Sequence, residues 1–443
     1  EKPWEHLGNH LPYLINLNNM DDTNIENLKL KEEAYLEILR SSGYLNSKFI
    51  YDAWCAAFIW KKAPCDTLPY PITQRLLDNI ESKPYSVSPA IRTEIMRLAK
   101  DYNFFHWHIA FPDVFPLTTD HSPLTSSGFD CILGNPPWEH NELKEKEWFA
   151  GRDVEISEAD GAKRKRLIAN LERENPAMYN EYLRDLRYYQ ATSVMYNKEA
   201  GLYPLCGRGR INTYTIFAEL NRKLLSKNGY CGCIVPSGIA TDDTTKFFFQ
   251  DLTDTGSLVS LYDFENRDKL FPAVDSRMKF CLLTLRAPQS THHLPLTTYQ
   301  PSDFVFFAHN IADLGDEQRH FQLSAADIAL INPNTRTCPI FRGKQDAELT
   351  KYIYRRVPVL INEKDPEKGN PWGISFKQGL FNMTSDSHLF KTKEQLEEKG
   401  FELQGNRFVR VAQDAEPAED ISSQNHEVYL PLYEAKMIHH FNH

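Results

Sequence analysis

The sequence predicts an α/β fold: a sheet with parallel members, preceded by a helical region and followed by a mixed α+β portion. Three observations carry that expectation. Apolar residues recur at three- and four-residue intervals through positions 1–104, which is the period of helices packed on one face. Between residues 105 and 290, short apolar runs alternate with amphipathic stretches, and strand–helix–strand units of this kind build sheets with parallel strands. From 291 to 443 the texture shifts to short mixed elements and many turns, which reads as a second domain.

The elements follow in order. Asn24–Tyr44 ("NIENLKLKEEAYLEILRSSGY") and Phe49–Lys62 ("FIYDAWCAAFIWKK") are expected helices, as is the stretch from Ser88 to Asn103. There Ser88 is placed to cap and Pro89 to occupy the first helical position. Pro69, Pro71 and Pro84 punctuate between helices. "FHWHIAFPDVF" (Phe105–Phe115) is aromatic and short-period, and a Ser/Thr/Pro stretch leads from it into the strand "FDCILG" (Phe129–Gly134), expected to be buried. Residues 141–200 return to charged helix as an insertion, and the run Lys163–Arg166 is expected to be a solvated face. Ile211–Gly229 is expected to be one helix, with Phe217, Leu220, Leu224 and Leu225 on its buried face and Gly229 just past its end. Strand Tyr230–Ser237, a helix in Thr241–Leu252 capped by Thr241 or Asp242, and strands Leu258–Phe264 and Met278–Ala287 complete the alternation.

Composition bounds the function. The chain has 443 residues, 41% of them hydrophobic and 25% charged, enough for a sizeable core in two or three domains. The net charge of −10 gives no global footprint for nucleic acid, although a local basic patch is compatible with it. No apolar run reaches the roughly 18–20 residues that a membrane span needs. The eight cysteines lack metal-ligand spacing. Cys231 and Cys233 share one face of a strand but have no second pair, so no metal is expected and buried free thiols in a reducing cytoplasm are. His106 and His108 in "HWH" are expected to be structural for want of completing carboxylates. Glu1 rather than Met opens the sequence, and the expectation is a piece of a longer polypeptide.

The chemistry concentrates at Asn135-Pro136-Pro137-Trp138, directly after "FDCILG". Two consecutive prolines donate no backbone hydrogen bonds and stop a strand. Ligands of open α/β sheets bind beyond the carboxyl ends of strands. A carboxamide oxygen and a proline carbonyl offer two acceptors there, and an indole lies alongside. That set suits a planar group bearing an exocyclic amine, such as adenine.

An Asn-Pro-Pro-aromatic sequence after an apolar strand resembles the catalytic motif of N6-adenine DNA methyltransferases. "FHWHIAFPDVF", "INTYTIFAELNRKLLSKNGYCGCIVPSGIATDDTTKFF" and "FENRDKLFPAVDSRMKFCLLTL" resemble the segments around that motif. "NPNTRTCPIFRGKQDAELTKYIYRRVP" and "LPLYEAKMIHHFNH" resemble the target-recognition region of large single-chain (Type IIG-like) restriction-modification methyltransferases. The resemblance runs from about residue 100 to the end. It implies a partial Rossmann-like methyltransferase sheet in 105–290, a target-recognition domain in 291–443 and double-stranded DNA as partner. It also implies S-adenosylmethionine as cofactor and a nuclease domain or subunit of the same system as a further partner. Asn135 and Pro136 then accept from the adenine amine, Pro137 supports them, and Trp138 and Phe271 stack on a flipped base. In the recognition region Arg336, Arg342, Lys344, Lys351, Arg355 and Arg356 outnumber Asp346 and Glu348 by four, and are candidates for phosphate contact.

One departure qualifies this reading. The family's cofactor loop is glycine-rich and precedes the motif, because backbone passing close to the cofactor needs glycine. Ahead of Gly128 only Gly8 and Gly43 occur. The main binding loop is therefore expected outside this chain, the cofactor-binding residues are unassigned, and the chain alone is expected to be inactive. A Pro-Asp…Glu-x-Lys nuclease pattern is formally present in Asp113, Glu142 and Lys144, but it is permissive and contains the Asn-Pro-Pro-Trp motif. The contrasting reading is a non-catalytic DNA-binding or specificity subunit.

Overall fold

The computed structural model describes residues 11–61, 71–115, 127–289, 299–376, 382, 385–410 and 427–432. Pro69, most of the Ser/Thr/Pro stretch and residues 433–443 of the closing segment lie outside them. The chain divides into two compact units, Glu1–Asn370 and Pro371–His443.

The first unit opens with helices at Leu11–Asn19, Ile25–Arg40, Ser42–Ile59, Gln74–Ser82 and Pro89–Asp101. The second, third and fifth answer the three helices expected, with the first break at Ser41 rather than after Tyr44. Their starts are chemically marked. Asn24 accepts from Asn27 N at 2.8 Å, and Ser88 accepts from Ile91 N with Pro89 in the first turn, satisfying amides that a helix start leaves free. Phe49, Ala53, Ala56, Ile59, Trp60, Ile80, Ile95 and Leu98 form one core with Ala191 of the helix Pro176–Tyr196. The inserted helices therefore close the N-terminal region. Tyr102 stacks on Tyr188 at 5.1 Å across that contact. The insertion has its own small core of Phe149, Ile156, Ile168, Leu171 and Tyr182.

"FHWHIAFPDVF" is not a strand. Trp107–Ala110 is a short helix, and its flanking aromatics pack edge-to-face around Phe129. His106 Nε2 pairs with Asp52 Oδ1 at 2.9 Å, and the His108 ring meets Tyr51 at 4.1 Å. Both histidines are structural contacts to the helix Ser42–Ile59. Burial lowers His108 from 6.5 to about 4, with the neighbouring His106 adding to it. Its neutral form is the folded one, so stability is complete above about pH 6.5 and falls as the pH drops toward 4, by about 1–2 kcal/mol after allowing for partial solvent access. Urea unfolding at intervals across that window should show a steeper loss for the wild type than for His108→Asn; parallel curves would contradict it.

Six strands form the main sheet: β1 (Phe129–Gly134), β2 (Leu225–Pro236), β3 (Leu258–Glu265), β4 (Lys279–Arg286), β5 (Ser302–Ala308) and β6 (Phe321–Leu323). Their order is β1-β2-β4-β3-β5-β6. β1/β2 and β3/β5 are parallel, and the other pairs are antiparallel. The result is a mixed α/β sheet. β5 and β6 come from the stretch expected to open a second domain, yet they extend this sheet.

Three local expectations change. The helix expected over Ile211–Gly229 is only Thr213–Lys223, and Leu225–Gly229 already belongs to β2. Its buried face is Tyr214, Ile216, Ala218, Glu219 and Arg222, while Phe217 is exposed. Arg222 decides this face. Its guanidinium pairs with Asp251 and donates to Thr255 Oγ1 at 3.0 Å and Ser257 Oγ at 3.2 Å, so the helix rotates to bury the cation with its partners. The segment from Gly238 is broken into a short helix, a 3-10 turn and the helix Lys246–Asp254; neither Thr241 nor Asp242 caps the last of these. Finally, β1 is not a buried strand. It is the sheet edge, with Asp130 and Cys131 exposed and Leu133 79% exposed.

The second unit holds a three-stranded antiparallel sheet, β7 (Glu402–Gln404), β8 (Arg407–Arg410) and β9 (Glu427–Tyr429), with the helix Lys393–Glu398 opened by a Thr392–Gln395 capping box. Leu396, Phe401 and Val409 are its buried apolar residues.

Candidate active site

The carboxyl ends of β1, β2, β3 and β5 and the start of β4 lie along one edge of the main sheet, as the register Gly134↔Cys233, Pro236↔Phe280, Glu265↔Lys279 and Phe264↔Ala308 requires. Asn135 begins at that edge. It is exposed, and its carboxamide has no hydrogen-bond partner among the described residues; Pro136 beneath it is buried and Pro137 exposed. The tip is held from the side by Thr213, whose Oγ1 donates to Pro137 O at 2.8 Å while its backbone N donates to Glu139 O at 2.9 Å. A rigid turn therefore presents an unpaired acceptor.

Trp138 is half-buried. Its Nε1 donates to Ile234 O on β2 at 3.2 Å, and its ring stacks on Phe280 at 6.0 Å. Phe271 meets Trp138 edge-to-face at 5.7 Å and Phe280 at 4.9 Å. The two expected stacking residues are thus brought together, 133 positions apart in sequence. They touch each other, so a base entering between them requires one ring to turn aside.

The sequence reading missed what places Phe271. Asn266, fully buried at the end of β3, donates from Nδ2 to Phe271 O and Val274 O at 3.0 Å, and to Asp275 O at 3.3 Å. Its Oδ1 accepts from Phe271 N at 3.0 Å. One carboxamide shapes the whole turn. The signal was the Asn in "FENRDKLFPAVD", a polar residue at a strand end just before an exposed loop. Asp263, one turn of the strand earlier, accepts from Ser237 Oγ and from Phe307 N at 3.2 Å, so it ties the "VPS" turn to β5. Burial raises its carboxyl above the usual range.

Beside Trp138 lies a cavity of about 360 Å³, lined also by His140, Arg208, Arg210, Tyr214, Asp242 and Met278. Arg210 pairs with Glu142, whose carboxyl is lowered by that hydrogen bond, and Lys144 pairs with Glu147 at 3.0 Å. Two of the three residues of the formal nuclease pattern, Glu142 and Lys144, are therefore tied up in ion pairs. No cluster of three potential metal ligands occurs among the described residues, and no described helix is long and apolar enough to cross a membrane. Cys231 and Cys233 are both buried.

The six basic residues of the recognition segment divide. Arg336 is bidentate to Asp254, and Lys351 is buried against Glu348 and Gln322 O. Arg342, Lys344, Arg355 and Arg356 are exposed, with Arg355 3.5 Å from Asp327 and Arg356 over the Tyr352 ring. Only those four present their charge to solvent.

Residues 24–168 match the family model described as Eco57I restriction-modification methylase. That stretch, about a third of the chain, is similar to the restriction-modification methylases. The methylase match takes in the helical region, β1 and the Asn-Pro-Pro-Trp tip, and ends inside the helical insertion. It thus begins well before the residue-100 limit expected from motifs. Among solved structures, the chain is similar to "ATP-dependent Type ISP restriction-modification enzyme LlaBIII bound to DNA", at 12% identity over 51% of this chain and 12% of that one, TM-score 0.22. It is also similar to the DrdV–DNA complex, at 10% identity over 67% of this chain and 27% of that one, TM-score 0.25. The chain spans about an eighth and a quarter of those two chains. No curated protein matches.

Methylases of this kind imply S-adenosylmethionine. The described residues do not fit it by themselves. Among the described residues, what precedes β1 is helical, with no glycine-rich loop after a strand, and β1 has no neighbour on its outer side.

Proposed function

We propose that the chain carries the acceptor half of a DNA adenine-N6 methyltransferase of a restriction-modification or phage-defence system. The observation that carries this is the unpaired Asn135 carboxamide on a turn fixed by Pro136, Pro137 and Thr213, within the methylase match. In this reading Asn135 Oδ1 and the Pro136 carbonyl accept the two N–H bonds of the target amine and hold its lone pair outward. Their dipoles stabilise the nitrogen as it becomes cationic. Holding the amine in line accounts for the rest of the barrier lowering. Trp138 and Phe271 receive the extruded base; extrusion costs a few kcal/mol, and stacking returns about 1–3 kcal/mol. Arg342, Lys344, Arg355 and Arg356 supply phosphate contacts to double-stranded DNA. S-adenosylmethionine is the methyl donor, and the exposed edge of β1 supports its being held by further strands beyond this chain.

The test uses the complete native polypeptide with S-adenosylmethionine and plasmid DNA, followed by digestion to nucleosides and mass spectrometry. N6-methyldeoxyadenosine is the expected product; methylation at cytosine N4, or none, would sink the assignment. Among the described residues the segments before β1 are helices, which favours one second reading, a DNA-binding specificity subunit in which the tip is structural. It predicts DNA binding without methylated product.

A further inference from the structure

The cavity beside Trp138 has a second wall that the proposed transfer does not use, the loop Cys206–Arg210. Close packing shapes this loop. Gly207 is buried against backbone, where a Cβ would lie 2.1 Å from Tyr196 O. Its own N and O are hydrogen-bonded to Tyr203 O and Lys198 N, each at 2.9 Å. Gly209 sits at φ +61, a left-handed conformation that glycine adopts without penalty. Cys206 N donates to the buried Glu219 carboxylate at 2.8 Å. These constraints fix where Arg208 and Arg210 emerge.

The two arginines differ. The guanidinium of Arg210 is held by Glu142. That of Arg208 lies 4.0 Å over the Phe247 ring, and its Nε donates to Pro204 O at 3.3 Å. Neither Nη has a partner, and no carboxylate pairs with Arg208, among the described residues. Stacking occupies the guanidinium's face and leaves its two-Nη edge free, the geometry that binds a phosphate in two places at once. Asn212, Tyr214 and Thr215, at the amino end of the helix Thr213–Lys223, line the same cavity and add the positive end of its dipole. Trp138, Ile211, Pro236 and Met278 supply apolar lining, and His140, Asp242, Thr244 and Thr245 supply polar groups. An indole and other apolar walls, several hydrogen-bonding side chains and one free guanidinium complement a nucleotide better than a bare anion. The volume of about 360 Å³ falls within the usual range for such sites, roughly 300–1,000 Å³.

We propose that Arg208 binds a backbone phosphate of the DNA strand whose nucleotide enters this cavity beside Trp138. The proposal rests on the reading of the tip as an adenine site and adds to it a phosphate anchor that the exposed cations of the recognition segment do not provide.

Fluorescence anisotropy of the full chain with a labelled single-stranded probe, one dA in a run of dT, tests it across about 50 to 200 mM salt. Arg208→Gln should lower the slope of log affinity against log salt by about 0.7, the value for one phosphate on a single strand, and Arg208→Lys should restore it. A neutral methylphosphonate placed next to the dA, in one of its two flanking positions, should weaken the wild type by the same factor as Arg208→Gln and weaken the variant no further. An unchanged slope overturns the proposal, as does a methylphosphonate penalty equally large in the variant. Reduced slope together with no N6-methyldeoxyadenosine from the complete polypeptide would keep the phosphate contact and remove the adenine reading, so the two failures are distinguishable.

Discussion

Asn135→Ala in the complete polypeptide should cut methyl transfer by about 10²–10³-fold or more, the effect of removing one acceptor aimed at developing charge. Folding stability should stay within about 0.5 kcal/mol, because the side chain is exposed and makes no contact whose loss the fold would register. DNA affinity should hardly change, since base stacking and phosphate contacts persist. The measurement is single-turnover methylation at saturating DNA beside a urea melt. Equal rates for variant and wild type would place the tip among structural turns and leave the specificity-subunit reading. A large fall in stability would instead mean that Asn135 supports the turn rather than acting from it.

Asn266→Ala carries the largest expected stability loss. Its carboxamide is fully buried and serves four backbone groups of the Phe271 turn. Removing it leaves Phe271 N without its acceptor and empties a buried site, while Phe271 O, Val274 O and Asp275 O keep Val274 N, Lys269 Nζ and Met278 N as donors. One unsatisfied buried amide costs about 1–3 kcal/mol, and the lost ties to the three carbonyls keep the expected net loss in the range of about 1–3 kcal/mol. Asn266→Asp tests the direction of the bonds. A carboxylate still accepts from Phe271 N but faces three carbonyl oxygens, so it should be no better than Ala at neutral pH. Urea denaturation gives the stability, and proteolysis of the 267–277 segment reports the turn. Near-wild-type stability with an intact turn would show that Phe271 is placed by its ring contacts with Trp138 and Phe280 alone. Because Phe271 touches the base in the proposed mechanism, the variant should also weaken productive DNA binding more than it slows the bound complex.

Much of this was legible beforehand because it is local. A period of three to four with Ser88 and Pro89 at its head marks a helix start without reference to anything distant. Cys231 and Cys233 share a buried face because a strand alternates. The tip was legible for the same reason, since Asn-Pro-Pro-Trp after a short apolar run ends a strand on its own chemistry. The misread elements depended on partners far away. Phe217 seemed a core residue by its spacing, but the buried Arg222–Asp251 pair turned the helix so that Phe217 faces solvent. Leu225 looked helical until its pairing with Phe129 made it the start of β2. Arg336 and Lys351 are basic in the sequence, but Asp254 and Glu348, set beside them by the fold, neutralise them.

By itself, then, the sequence determined the helices near 25–59 and 89–101, the existence of the apolar strands and the stop of β1 at Asn135-Pro136-Pro137, because backbone propensity and side-chain alternation act within a few residues. Only the tertiary structure decided that, among the described residues, β1 is an edge without an outer neighbour, that Asn266 and Thr213 hold the turns of Phe271 and Pro137, and that Arg208 has no carboxylate partner. Those properties are differences between who is present and who is absent around a group, and burial and pairing of that kind are set by contacts that linear spacing does not contain.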